Sequence, residues 1–286
     1  MRVKMTDGVT LFVDVDGASL VADGARMRER PTVVLLHGGP GLDHTSLKVE
    51  LGQLRDIAQI LYIDHRGNGR SEEGPRESWN LAQWGDDVRN VCDVLGVSKP
   101  IVMGQSFGGM VAMSYAVRHP DHPAAVIFSS TSASGSPERN LAVFERLGGA
   151  KARAAAEAFY ADPGPEALPR FLTDCMSLYN TRFSDPEGMK RSIVRGDVLF
   201  HFFENEYRDY DLLPELARVA CPTLILGGED DPTTPIEDQV DIAANIRSEL
   251  VEFHRFADCG HGAYRDCPDA AIPILRDFIL EHAPVA

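Results

Sequence analysis

The sequence of 286 residues lacks the features that mark several large classes of protein. No apolar run approaches the ~18 residues that a membrane span needs, and the N-terminus has no apolar segment of the length found in signal peptides. Lysine and arginine never form a run longer than two, and 43 acidic against 28 basic side chains leave a net charge of −15. This balance argues against a nucleic-acid or anionic-membrane partner.

Cysteine is also scarce, with five residues and no CxxC pair. The positions are Cys92, Cys175, Cys221, Cys259 and Cys267. An odd, scattered set does not suit a disulfide framework and favours the reduced thiols of the cytoplasm. Hydrophobic residues (44%) and charged residues (25%) are close to globular usage, which excludes a disordered or collagen-like chain. We therefore expect a soluble cytoplasmic protein of one or two domains.

Short apolar runs alternate with helical patterns over the first ~130 residues and again near the C-terminus. The alternation of strand and helix is typical of a mostly parallel sheet with right-handed crossovers, an α/β architecture with helices on both faces. The predicted strands are Val9–Val15, Thr32–Leu36, Ile57–Ile63, Pro100–Met103, Ala125–Ser129, Thr223–Leu226 and Glu249–Phe256. The predicted helices are Leu81–Leu95, Phe107–Val117, Ile236–Ile246 and Pro268–His282.

The rhythm changes between about Ser132 and Asp211, where helical patterns dominate and few runs resemble buried strands. We interpret residues 132–211 as a helical insertion that divides the sheet domain into residues 1–131 and 212–286. The helical stretches expected there are Leu141–Leu147, Lys151–Tyr160, Pro169–Tyr179 and Pro186–Phe203.

The motif GQSFGG at residues 104–109 carries the strongest chemical signal, because it follows a predicted buried strand and precedes a predicted helix. A G-x-S-x-G in this context is typical of a nucleophile elbow, which holds the serine in a strained turn and needs small neighbours. The helix N-terminus that follows favours developing negative charge. Ser106 is thus the candidate nucleophile, and a glycine-containing turn with a chance serine is the alternative.

A serine hydroxyl needs a histidine to take its proton and an acid to orient that histidine. His261 lies in a glycine-flanked loop after the strand ending at Phe256, whereas His254 lies within the strand and His282 on the tail. The acid is expected in the loop after Leu226, where Glu229, Asp230 and Asp231 are adjacent. Position alone leaves the choice among these three acids open.

The motif HGGPG at residues 37–41 also follows a predicted strand. Consecutive glycines let such a loop approach a substrate carbonyl, so we expect an oxyanion hole formed by the N–H groups of Gly39 and Phe107. The alternative is a tight turn at the strand exit. For the loop DHRGNGRS at residues 64–71 we expect a structural role, holding the oxyanion loop.

Taken in order, HGGPG, DHRGNGRS, GQSFGG, GGEDDPTTP and DCGHG resemble the α/β-hydrolase superfamily, and HGGPG resembles its prolyl iminopeptidase branch. The resemblance covers nearly the whole chain outside the insertion, which corresponds to the cap of that family. It implies an α/β-hydrolase fold and an acid in a G-x-x-D-x-x-x-P frame. Gly228, Asp231 and Pro235 fit this frame, which favours Asp231.

The resemblance also implies that carboxylates of the cap bind the amino terminus of a substrate. The segment FENEY at residues 203–207 is similar to the family's N-E-F-like segment, and Glu206 corresponds to the carboxylate. Pro232 stands where some members have a second carboxylate, and GQSFGG departs from the family's usual GGSWG. The alternative for Glu204 and Glu206 is a solvated helix face.

We therefore predict a cofactor-independent serine hydrolase, with no metal, that cleaves a small-molecule amide, ester or lactone through an acyl-enzyme. A proline-type amino-terminal peptide is one candidate substrate. The alternatives are a carboxylesterase or lactonase with no amino-terminal specificity and, more remotely, a non-catalytic relative that binds a small ligand. The predicted partner is a small-molecule substrate, with neither nucleic acid nor membrane involved.

Overall fold

The computed structural model describes residues 1–182 and 185–284, and the sheet that organises them confirms the predicted architecture. The strands of the main sheet lie in the order β1-β2-β6-β5-β7-β8-β9-β10; β1 and β2 pair antiparallel to their neighbours, and the others run parallel. A separate hairpin, not predicted from the sequence, pairs β3 with β4. In chain order the strands are β1 (Arg2–Lys4), β2 (Thr10–Asp16), β3 (Leu20–Asp23), β4 (Arg26–Glu29), β5 (Thr32–Leu36), β6 (Gln59–Asp64), β7 (Ile101–Gln105), β8 (Ala125–Ser129), β9 (Thr223–Gly228) and β10 (Val251–Phe256).

Helices cover both faces of the sheet because its central strands are apolar on both sides. Along β5, Val34 and Leu36 pack into one apolar cluster, and Val33 and Leu35 into another on the opposite face. The helices are α1 (Thr45–Leu51), α2 (Leu81–Leu95), α3 (Phe107–Arg118), α4 (Pro137–Ala161), α5 (Leu168–Cys175), α6 (Gly188–Arg191), α7 (Gly196–His201), α8 (Ile236–Asn245), α9 (Ala263–Asp266) and α10 (Pro268–Glu281). Short 3₁₀ turns lie at Gly52–Asp56, Arg76–Ser78, Met176–Leu178, Leu213–Arg218 and Ser248–Leu250, and a π-helical turn at Phe202–Glu206.

The segment between β8 and β9 contains α4, α5, α6 and α7 and has its own apolar cluster built from α4 and α5. An isolated antiparallel bridge pairs Ser134 with Asp211, so the two ends of residues 132–211 leave the sheet domain side by side. We refer to residues 132–211 as the insertion. Two residues of the predicted range 132–211, Phe183 and Ser184, lie outside the described residues. The same holds for Val285 and Ala286 in the range 212–286.

The prediction of one helical stretch over Pro186–Phe203 is wrong in its middle. Helix α6 ends at Arg191 and α7 begins at Gly196, with a non-helical connection between them. There the N–H of Ile193 donates to Asp43 Oδ2 (3.1 Å) and the N–H of Arg195 to the carbonyl of Gly41 (2.6 Å). The backbone donors of this connection bind loops of the sheet domain, and this use replaces the hydrogen bonds of a continuous helix.

None of the described helices combines the length and the apolar character needed to cross a bilayer. The five cysteines are unpaired thiols.

Candidate active site

Ser106 lies at the tight turn between β7 and α3, with backbone angles of φ 56° and ψ −123°. A positive φ is strained for a residue with a side chain, and the surroundings hold it in place. The N–H of Ser106 donates to the carbonyl of Ser129 (3.0 Å), and the Thr131 hydroxyl donates to the Ser106 carbonyl (2.8 Å). A Cβ at Gly108 would collide with the carbonyl oxygen of Leu36. The strand–turn–helix geometry predicted for GQSFGG is therefore present, and Ser106 keeps part of its surface exposed.

His261 and Asp231 come together from the loops that follow β10 and β9. Nδ1 of His261 lies 2.8 Å from Oδ2 of Asp231, whose side chain is fully buried. The N–H groups of Thr233 (2.9 Å) and Thr234 (3.0 Å) donate to the other carboxylate oxygen. Burial by itself raises the pKa of Asp231, but the attraction of His261 and these hydrogen bonds outweigh it and leave the pKa below its ordinary value. The carboxylate thus stays charged beside the imidazole.

The structure separates the three adjacent acids that the sequence left open. Glu229 forms an ion pair with Arg255 (2.7 Å) on the surface, and Asp230 forms one with Arg146 (2.5 Å). Asp231 is the acid of this loop that contacts His261. The residue favoured by the G-x-x-D-x-x-x-P frame is therefore the one in position to orient the imidazole.

The loops of Ser106 and His261 face each other through their neighbours. A Cβ at Gly262 would lie 3.7 Å from Nε2 of Gln105, the residue before Ser106. Because Asp231 takes Nδ1 of His261, Nε2 is the ring nitrogen left to accept a proton. Within residues 1–182 and 185–284, no hydrogen bond joins Ser106 to His261. Such contacts are often long without substrate and tighten in the reacting complex.

The glycine loop after β5 packs directly against the serine. A Cβ at Gly38 would lie 3.0 Å from Cβ of Ser106, so this loop borders the position of a substrate carbonyl. Gly39 has a φ of 63°, which suits glycine, and Phe107 is the first residue of α3. No hydrogen bond within the described part of the chain uses the N–H of Gly39 or of Phe107. Both predicted oxyanion donors are thus available to a ligand.

The loop 64–71 is hydrogen-bonded to the glycine loop, as its predicted structural role requires. Oδ1 of Asn68 accepts the N–H of Gly41 (2.6 Å), and the N–H of His65 donates to Nε2 of His37 (3.2 Å). The His37 and His65 rings lie 4.4 Å apart, and burial lowers the pKa of both. Two neutral imidazoles therefore pack beneath the predicted oxyanion hole.

Glu206 lies at the end of the π-helical turn in the insertion and serves a neighbouring helix. Its Oε2 accepts the N–H of Leu81, the first residue of α2, at 3.0 Å. A carboxylate at this position satisfies a free backbone donor and interacts favourably with the helix dipole. Glu204 is exposed. The structure thus brings Ser106, Asp231, His261, Gly39 and Phe107 to one group of loops, whereas the contact that it gives the Glu206 carboxylate is with α2.

Residues that sequence reasoning did not single out complete the site. The Thr233 hydroxyl lies 2.8 Å from Nδ1 of His261, and the Thr234 hydroxyl donates to Oδ2 of Asp231 (2.8 Å). The Tyr179 ring, from the insertion, meets the His261 ring edge-on at 5.5 Å. The threonines follow Asp231 directly, so their place in the loop was a usable signal. Nothing local in the sequence marked Tyr179.

Across the described ranges, no three His, Cys, Asp or Glu side chains are grouped so that they could hold a metal ion. The chemistry assembled here is that of a hydroxyl, an imidazole and a carboxylate next to free backbone N–H groups. This set can carry out acyl transfer from a carbonyl substrate.

Comparison with known proteins agrees with this fold. The family model described as "alpha/beta hydrolase fold" matches residues 31–266, most of the chain. A proline iminopeptidase of Lactobacillus helveticus (strain DPC 4571) is 28% identical over 277 residues, covering 89% of this chain and 91% of that protein.

Two solved structures share the fold over almost the whole chain. The proline iminopeptidase of Mycobacterium smegmatis superposes with a TM-score of 0.76 at 22% identity, covering 99% of this chain and 98% of its own. The enol-lactonase from Burkholderia xenovorans LB400 gives a TM-score of 0.66 at 21% identity, covering 98% and 100%. At these identities the likeness concerns the fold, and the relatives differ in what their names say they cleave. With the family model matched over most of its length, the chain belongs to the α/β-hydrolase fold family.

Proposed function

We propose that this protein is a cofactor-independent serine hydrolase that transfers the acyl group of a small ester, lactone or amide to water. The observation that carries the proposal is the contact between His261 Nδ1 and Asp231 Oδ2 (2.8 Å) in the loops facing Ser106 on its strained turn. A buried carboxylate that fixes one imidazole nitrogen leaves the other for a serine hydroxyl. A protein that only bound a ligand would not need this arrangement.

In the proposed reaction, Ser106 Oγ attacks the substrate carbonyl carbon while His261 Nε2 takes its proton. The tetrahedral oxyanion accepts hydrogen bonds from the N–H groups of Gly39 and Phe107. His261 then returns the proton to the departing alcohol or amine, and the acyl group remains on Ser106. Water attacks this ester with His261 again acting as base, which releases the acid and restores the serine.

The substrate is a small molecule admitted beneath the insertion, which acts as a cap. The insertion contacts both catalytic loops: the His261 N–H donates to the Tyr179 carbonyl (2.6 Å), and the Arg195 N–H donates to the Gly41 carbonyl (2.6 Å). A site closed in this way excludes water from the reacting groups. Burial also raises the pKa of Tyr160 and Tyr179, so the phenols of the cap stay neutral.

Proline iminopeptidases among the relatives support an amino-terminal peptide as one candidate substrate. A specific observation favours the second candidate, a carboxylesterase or lactonase without amino-terminal specificity. The carboxylate predicted to bind a substrate ammonium, that of Glu206, is already bonded to the Leu81 N–H. Pro232, next to Asp231, supplies no second acid. We therefore propose that uncharged esters or lactones are better substrates than amino-terminal peptides.

Fluorophosphonate labelling tests the proposed class of enzyme. Wild type should form a covalent adduct on Ser106, identified by peptide mass spectrometry, and Ser106→Ala should form none. A panel of p-nitrophenyl esters, lactones and amino-acyl naphthylamides, assayed side by side, then ranks the substrate classes. If folded wild-type protein shows no labelling and no turnover, a non-catalytic ligand-binding protein becomes the better description.

A further inference from the structure

The loop of His261 is bonded to a short segment of the insertion, Tyr179–Arg182. The N–H of His261 donates to the Tyr179 carbonyl (2.6 Å), and Nδ2 of Asn180 donates to the His261 carbonyl (3.2 Å). The Thr181 hydroxyl donates to the Asp258 carbonyl (2.6 Å). The backbone of His261 is therefore held on both its N–H and its carbonyl side by the insertion.

The approach of the two segments is as close as backbone allows. A Cβ at Gly260, the residue before His261, would collide with the Tyr179 carbonyl oxygen and lie 3.2 Å from Cα of Asn180. Any larger residue at 260 would push the segment and the loop apart. The position of the imidazole is thus tied to the position of the insertion.

The carboxylate of Asp266, at the end of α9, joins the same two segments. Its Oδ2 accepts the N–H groups of Gly260 (2.8 Å) and Thr181 (3.0 Å), and its Oδ1 accepts the N–H of Arg182 (3.1 Å). Asp266 is only 3% exposed. A buried backbone N–H needs an acceptor, and a charged carboxylate can serve several donors at once without offering a competing donor of its own.

We propose that Asp266 is a positioning residue that couples the insertion to the general base, an inference that rests on the proposed serine hydrolase function. Asp266 does not touch the substrate. It fixes the Gly260 peptide, and with it the direction of His261, against the segment Tyr179–Arg182. When the carboxylate is lost, the imidazole departs from the line between Ser106 and Asp231, although the triad residues are all still present.

The first test separates positioning from folding. In Asp266→Asn, one acceptor oxygen becomes an NH₂ group that faces backbone donors. We expect kcat per active site, with sites counted by fluorophosphonate titration, to fall by roughly 10–100-fold while KM for a short p-nitrophenyl ester stays within about 3-fold. The control is Asp269→Asn, the same change at an exposed position three residues away, and it should match wild type. An unchanged kcat per titrated site in Asp266→Asn would overturn the proposal.

The second test does not depend on activity. Amide hydrogen exchange should rise by about 10-fold or more around both Gly260 and Thr181 in Asp266→Asn and remain unchanged in β9. A rise at only one of the two segments, or at neither, would overturn the coupling even if Ser106 proved unreactive. An unreactive Ser106, by contrast, would overturn the proposed function and leave the coupling untouched.

If Asp266→Asn does not fold, Asn180→Ala tests the coupling between the insertion and His261. This variant leaves the carboxylate in place and removes the side-chain bond to the His261 carbonyl. We expect kcat per titrated site to fall by about 2–10-fold, the effect of one hydrogen bond, with KM again little changed. A kcat equal to that of wild type would contradict the coupling of insertion and base.

Discussion

The backbone N–H of Arg195, in the insertion, donates to the carbonyl of Gly41, in the glycine loop after β5, at 2.6 Å. The N–H of Gly41 in turn donates to Asn68 Oδ1 (2.6 Å), so this residue is held from the sheet domain on one side and from the insertion on the other. A Cβ at Gly41 would collide with the Arg195 carbonyl oxygen. The loop that carries the proposed oxyanion donor Gly39 is therefore fixed before substrate arrives, which is what electrostatic stabilisation of an oxyanion requires.

The proposed nucleophile, Ser106, gives the most direct prediction. Ser106→Ala should lower kcat by a factor on the order of 10⁴–10⁶ toward any substrate that wild type turns over, because only the attacking hydroxyl is removed. Circular dichroism and thermal unfolding should show a folded protein. Turnover close to that of wild type by this variant would eliminate the acyl-enzyme mechanism.

The adjacent acids allow a matched pair of variants. Asp231→Asn should lower kcat by very roughly 10²–10⁴, because His261 loses the carboxylate that fixes Nδ1. Asp230→Asn breaks an exposed ion pair with Arg146, and such pairs contribute about 0–1 kcal/mol, so kcat should stay within about 3-fold of wild type. Steady-state kinetics of both variants on one ester shows which of the two acids orients His261. The reverse ranking would move the acid to Asp230.

Much of the sheet and of the loops of the candidate site could be predicted because each depends on local sequence. Strands such as β5 and β7 are continuous apolar runs, the pattern of parallel strands covered on both faces, and they end at glycine-rich loops. The carboxyl ends of parallel strands meet at one edge of a sheet, so the loops that follow β7, β9 and β10 lie at the same edge. The contact between Asp231 and His261 joins two of these loops, although their position left Glu229 and Asp230 open and only the G-x-x-D-x-x-x-P frame favoured Asp231.

The insertion was predicted less well because long-range contacts determine its details. The break after Arg191 depends on hydrogen bonds from Ile193 and Arg195 to loops of the sheet domain, which no local pattern indicates. Glu206 similarly bonds to Leu81, which is far away in the sequence. The role proposed for Asp266 depends on donors from two separate segments. Local sequence does not encode such partnerships.

The contact between α8 and the start of the insertion depends on pH. Asp238 on α8 accepts hydrogen bonds from Ser136 (2.9 Å) and Arg139 (2.8 Å) at the start of α4 and is 4% exposed. Burial raises its pKa from 3.8 to about 6, although both partners act to lower it. Because the folded protein holds this proton more tightly than the unfolded chain, stability is lost as the pH rises from about 4 to about 6.

Asp238→Asn removes this titration. The free energy of unfolding of wild type, relative to the variant, should therefore fall by about 2 kcal/mol between pH 4 and pH 7, which is most of the roughly 3 kcal/mol that a shift of about two pKa units is worth in full. Urea unfolding at several pH values measures the difference. Asp241→Asn, which breaks the other ion pair of Arg139, is the control and should change by less than about 1 kcal/mol over the same range. A constant difference for Asp238→Asn would contradict the raised pKa.

Glu206→Gln decides between the two substrate classes. If the carboxylate serves α2, as its bond to the Leu81 N–H indicates, the variant should lose about 0.3–1 kcal/mol of unfolding free energy from the weaker interaction with the helix dipole. The ratio of prolyl-naphthylamide to p-nitrophenyl acetate turnover should then equal that of wild type. Glu204→Gln, at an exposed position on the same turn, should change neither quantity.

If Glu206 instead binds the ammonium group of a substrate, Glu206→Gln gives a different result. A carboxylate that held a substrate ammonium would supply a charge-assisted hydrogen bond, worth ~1.5–3 kcal/mol. Its loss would lower kcat/KM for the prolyl substrate by roughly 10–150-fold and leave the uncharged ester unaffected. Such a selective loss would show that substrate displaces Glu206 from Leu81, and the esterase or lactonase proposal would then yield to the iminopeptidase one.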